Sequence, residues 1–107
     1  MRRTDVFALT YGGVETLLTC PAGHKYEVLE VTLWGDSSAG ITYALCATLG
    51  GTFVILDEID AKPAGQYSWR SRWDALVLMP DDALQIVASG GSGNYAPHVV
   101  YVDVDET

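Results

Sequence analysis

The residues that could carry nucleophilic or metal chemistry are few: Cys20, Cys46, His24 and His98. A cysteine–histidine couple needs thiol and imidazole within hydrogen-bond reach and an acid to orient the base. Cys20 and His24 are close in sequence, but Pro21-Ala22-Gly23 between them reads as a turn, with no helix to align the pair. Neither cysteine belongs to a CxxC pair, which removes the zinc and thioredoxin readings. Two buried free thiols are the expectation. The acidic groups Asp57-Glu58-Asp60, Asp81-Asp82 and Asp103-Asp105-Glu106 offer oxygen ligands for calcium, yet none has the spacing of a calcium loop. On a strand, Asp57 and Glu58 point to opposite faces and do not chelate together. Gly90 to Gly93 lacks the Gly-Lys-Ser/Thr ending of a phosphate loop and reads as a hairpin connection. The sequence therefore predicts no catalytic residues, no metal site and no cofactor. A small cupin, which gathers histidines and a carboxylate around a metal, ranks last among the alternatives.

The stretch with the strongest binding character is Gln66-Tyr67-Ser68-Trp69-Arg70-Ser71-Arg72-Trp73, which holds two of the three tryptophans and two of the six basic residues. Tyr, Trp and Arg are the types that dominate interface hot spots. On an extended strand Tyr67, Trp69 and Trp73 share one face, and Arg70 and Arg72 the other. The functional reading is a protein–protein contact in which both guanidinium groups meet carboxylates on a neighbour. A sugar platform built from Tyr67, Trp69, Trp73 and Trp34 is the second reading. The plain alternative is that the aromatics fill the core while the arginines answer acidic neighbours.

These residues need elements to position them, and the sequence supplies strands. Period-two alternation recurs between turn signals. Leu29, Val31 and Leu33 alternate with Glu30 and Thr32 in a strand from Lys25 to Trp34. Ile41 to Leu49 and Thr52 to Ile59 flank Gly50-Gly51, a hairpin pair that supplies positive φ. Tyr67 to Trp73 and Ala75 to Met79 read as one bent strand, followed by the turn Pro80-Asp81-Asp82. Ala83 to Ala88 and His98 to Asp105 are further strands, and Val6 to Leu9 and Val14 to Cys20 precede them all. About eight short strands predict an all-β fold, an antiparallel, jelly-roll-like β-sandwich with under ~10% helix, as one domain over residues 1–107. The predicted core is Leu29, Val31, Leu33, Leu45, Leu84, Ile86, Val100 and Val102.

Composition agrees with a packed domain: 49% hydrophobic and 19% charged residues. Fourteen acidic residues against six basic ones leave a formal charge of −8. That disfavours nucleic acid and anionic membranes as partners, since both need clustered Lys and Arg. No apolar run approaches the ~20 residues of a membrane helix, and Met1-Arg2-Arg3 leads into no signal-like apolar stretch.

The second half also has a family likeness. Trp69-Arg70-Ser71-Arg72 leads into Leu76-Val77-Leu78-Met79-Pro80, an acidic turn, Ala83-Leu84-Gln85-Ile86-Val87-Ala88-Ser89-Gly90-Gly91 and a Val-rich final strand, with Pro21-Ala22-Gly23 ahead of the core strands. Over residues 20 to 105 this resembles the small β-sandwich virion structural proteins of tailed bacteriophages, of the capsid-decoration and head–tail accessory type. That family often carries x-Gly-Asp-x-Leu where this chain has Pro80-Asp81-Asp82-Ala83-Leu84, so the form of this turn is left open. The resemblance implies a non-enzymatic virion part, made in the host cytoplasm. It would be a capsid decoration or cement protein stabilising the head, with a neck or tail accessory protein, or a carbohydrate- or receptor-binding jelly-roll module, as alternatives. Its implied partners are virion proteins, the major capsid protein or neighbouring head and tail subunits, and further copies of itself in a homo-oligomer.

Overall fold

In the computed structural model, residues 1–10, 12–37, 41–62, 65–89 and 93–106 are described. Nine strands and no helix occur among them: β1 (Arg2–Val6), β2 (Leu9–Thr10), β3 (Val14–Thr19), β4 (His24–Ser37), β5 (Ile41–Leu49), β6 (Thr52–Lys62), β7 (Gly65–Leu78), β8 (Ala83–Ser89) and β9 (Gly93–Asp105). They form two antiparallel sheets. One runs β1-β9-β4-β7, with β2 also on β9; the other runs β3-β8-β5-β6. With β1 and β2 counted as one interrupted strand, this is the eight-stranded order of a jelly roll. The interruption falls opposite Pro97 of β9. Its carbonyl accepts the Phe7 N–H at 3.0 Å, but a proline has no N–H to return on that side. The expected single strand Val6 to Leu9 is therefore split in two.

Turn chemistry sets the register. Gly50 and Gly51 take φ of 58° and 83° between the paired residues Leu49 and Thr52, the two-residue hairpin that such φ values permit. At the end of β7 the chain turns through Pro80-Asp81, closed by a 2.9 Å bond from the Asp82 N–H to the Met79 carbonyl. Asp81 has φ of 72°, the left-handed region that glycine enters freely. The next residue ties the two turns together: the Asp82 carboxylate accepts the Gly50 N–H at 2.9 Å and the Met79 N–H at 3.0 Å.

The core lies between the sheets. Val31, Leu33, Leu45, Leu84 and Ile86 are buried there as expected, joined by Val28, Tyr43, Leu78, Tyr95, Val99 and Tyr101. Tyr43 of one sheet meets Tyr95 of the other edge-on, with ring centroids 5.5 Å apart. Three expected core residues are displaced. Leu29 occupies a bulge between Val28 and Glu30 and is only half-buried, because one inserted residue changes which side chains face inward. Val100 and Val102 are half-buried on the outer face, while Val99 and Tyr101 point inward. Both phases of β9 are apolar, and a one-residue difference in phase exchanges the faces. Both cysteines are free and buried. No helix among the described residues is long and apolar enough to cross a membrane.

Candidate interaction surface

β7 is an edge strand, bonded to β4 alone. Its register sets Arg70 opposite Thr32 and Arg72 opposite Glu30 on the outer face. The Glu30 carboxylate gathers these side chains. It lies 3.0 Å from Arg70 Nε and 3.4 Å from Arg72 Nε, and it accepts the Thr32 hydroxyl at 2.8 Å. The Thr32 hydrogen bond, with the two guanidinium charges behind it, holds the Glu30 carboxyl below its ordinary range against the opposing effect of burial. Arg70 and Arg72 remain exposed. They are thus charged groups with fixed stems on a free sheet edge, able to meet acceptors of a neighbour.

The other members of the predicted segment go elsewhere. Trp73 is half-buried and packs on the core, beside the bulge. Ser71 is buried and donates its hydroxyl to Asp57 Oδ2 across the sandwich edge. The side chains of Tyr67 and Trp69 lie outside the described residues; their backbone pairs with Gly35 and Leu33. The structure therefore brings Arg70 and Arg72 together and leaves Trp73 apart from them. Sequence reading gave Arg70 and Arg72 unspecified acidic neighbours, and only the β4–β7 register identifies Glu30.

On the same outer face Trp34 is 47% exposed, its ring edge-on to His98 at 4.5 Å. His98 faces Thr32 and Val6 in the neighbouring register row. At one end of the sandwich, Asp103 is nearly buried and accepts from Arg3 at 3.1 Å and from His24 Nδ1 at 2.7 Å. Beside it Tyr101 donates to Asp5 at 3.0 Å; burial first, then that bond, pushes its hydroxyl up to about 12. The Cys20 thiol is near His24 but donates to its backbone carbonyl at 3.3 Å, not to its ring. Burial raises this thiol above its ordinary range, and the charges of Asp103 and Asp82 add to the effect. A thiol held protonated in this way is a poor nucleophile. Among the described residues, no group of three or more His, Cys, Asp or Glu is placed to hold a metal ion.

The second sheet presents a different outer face. Three of its register rows cross all four strands: Val14, Val87, Ala44 and Glu58; Thr16, Gln85, Cys46 and Ile55; and Thr19, Ala83, Thr48 and Phe53, with the pair Thr42 and Ser89 beyond the first. Phe53 and Ile55 are well exposed on the edge strand β6. The sequence signal for this face was the alternation within Thr52 to Ile59, read as a strand without regard to what its outward side chains offered. No protein-family model matches the chain, and no curated protein matches it.

Proposed function

We propose that the chain is a non-enzymatic structural protein of a tailed-bacteriophage particle, decorating or cementing the capsid through protein–protein contacts. The observation that supports this best is the Arg70–Glu30–Arg72 arrangement on the free edge of β7. Glu30 fixes the stems of both arginines, which reduces the side-chain entropy lost when they dock. The remaining donors face outward, towards carboxylates of a neighbouring subunit. Several other carboxylates tie the sandwich together instead: Asp5, Asp57, Asp82 and Asp103 each accept hydrogen bonds within it. A net charge of −8 keeps the free subunit soluble before assembly.

The test is direct. Virions of the encoding phage, banded on a density gradient and examined by mass spectrometry, should contain the chain in many copies per particle. Its absence from the particle band ends the reading. Within the particle, the charge-reversed pair Arg70→Glu with Arg72→Glu should fold but lose attachment; normal attachment would remove β7 from the contact.

A second reading, a carbohydrate- or receptor-binding module, draws on Trp34, whose exposed ring is steadied by His98. Glycan-array binding that disappears in Trp34→Ala would favour it over the first.

A further inference from the structure

We propose that the outer face of the β3-β8-β5-β6 sheet is the contact through which two copies of this chain pair about a two-fold axis. The proposal rests on the reading of the chain as an assembly subunit and names the surface by which it meets itself.

Charge selects the face. Each copy carries −8, so like copies repel least where their contact holds few charges. The outer face of the β1-β9-β4-β7 sheet holds Arg2, Glu27, Glu30, Arg70 and Arg72 in its rows. In the three rows of the other sheet that cross all four strands, Glu58 is the single charged residue, at a corner of the face on the outermost strand.

The face is also ready to lose water. Phe53 is 51% exposed, Ile55 59% and Val14 56%. At its centre Thr48 donates to Gln85 Oε1 at 2.8 Å, so that hydroxyl proton and that amide oxygen already have partners. Cys46, paired with Gln85 in the same row, is buried. Dehydrating such a surface costs less than dehydrating the charged face of the other sheet.

Shape then favours a second copy over an unrelated protein. The bulky side chains, Phe53 and Ile55, lie along β6; the opposite edge, β3, carries the smaller Thr16, Thr19 and Val14. A two-fold axis parallel to the strands lays β6 of one copy over β3 of the other, setting large against small twice. Three rows on four strands project to roughly 400 Å² per copy, about half the ~800 Å² of a standard stable interface. The pairing is therefore reversible in dilute solution and becomes firm where assembly concentrates the subunits.

Sedimentation velocity of the purified chain, run from ~1 µM to ~1 mM, reads the outcome, since contacts below the standard size belong to weak, transient association. The sedimentation coefficient should rise with concentration to that of a dimer. Phe53→Asp with Ile55→Asp should remain monomeric with an unchanged circular dichroism melt, and so should Thr16→Arg, which acts from the other side of the contact. Arg70→Glu, on the far sheet, should dimerise like wild type. A monomer throughout the series overturns the proposal, as does dimerisation by both variants. Loss with the β6 variant but not with Thr16→Arg also overturns it, since that pattern belongs to edge-to-edge pairing of β6. If the chain is monomeric and the β6 variant instead fails to join particles, the face docks on another virion protein; this proposal then fails while the virion reading stands.

Discussion

The Ser71 hydroxyl donates to the Asp57 carboxylate and so joins β7 of one sheet to β6 of the other. The same carboxylate accepts the Glu58 N–H at 2.9 Å. An inward-facing acid at a sandwich edge is a poor template for another strand, which protects the edge from unspecific pairing. Removing the donor leaves a half-buried carboxylate with one partner fewer. Ser71→Ala should therefore lower stability by about 1–3 kcal/mol in urea unfolding. An unchanged midpoint would show that the bond contributes nothing net.

The left-handed φ of 72° at Asp81 predicts a stabilising change. Asp81→Gly should gain about 0.5–1 kcal/mol, because glycine takes this conformation without a Cβ clash and the gain exceeds its extra freedom when unfolded. Asp81→Ala should lose stability by a similar amount. Thermal melts of the three proteins, ranked Gly above Asp above Ala, check both directions; a Gly variant below wild type refutes the account of the turn.

The corrected phase of β9 separates two adjacent valines. Val99 is fully buried and Val100 only partly so. Val99→Ala should cost about 2–3 kcal/mol through lost transfer energy and a cavity, and Val100→Ala under about 1 kcal/mol. Equal losses would mean that the two faces of β9 are not distinguished as described. Leu84→Ala, in the core of the opposite sheet, should cost about 3–4 kcal/mol.

Two groups give stability a pH dependence of known sign. Glu30 is held below its ordinary range when folded. Its contribution is complete above the unfolded glutamate value of about 4.3 and is lost as pH falls through the lower, folded one. Glu30→Gln should flatten the acid limb below about pH 4.5. Tyr101 is raised from 10.0 to about 12. Its contribution is complete below about pH 10 and is lost as pH rises towards the folded value. Tyr101→Phe should remove this alkaline limb in melts followed between those two values. A wild-type slope in either variant assigns the effect to other groups.

The strand count and the sandwich were legible because alternation and paired glycines act locally, and the two ends of the Gly50-Gly51 hairpin fall where the sequence placed them. What sequence could not give was phase and partnership. Leu29 was misassigned because a bulge inserts a residue without any local mark. Val100 and Val102 were misassigned because β9 is apolar on both sides. The Arg70–Glu30–Arg72 arrangement joins residues some forty positions apart, so composition hinted at an acidic partner while only the register names it. The face with Phe53 and Ile55 was legible as alternation, but its low charge appears only once four strands are set side by side.

The position of β9 bears on how the protein is made. β9 lies between β1 and β4 in its sheet, yet it follows the other eight strands in the chain. During translation β1 must wait unpaired, and β4 has β7 alone as a neighbour, until residues 93–105 clear the ribosome. The opposite sheet, β3-β8-β5-β6, has all its strands by Ser89. A nascent chain stalled before that final segment would hold one finished sheet, its inner, apolar side covered only in part by β4 and β7. Such a species is a natural client for chaperones and prone to aggregate without them.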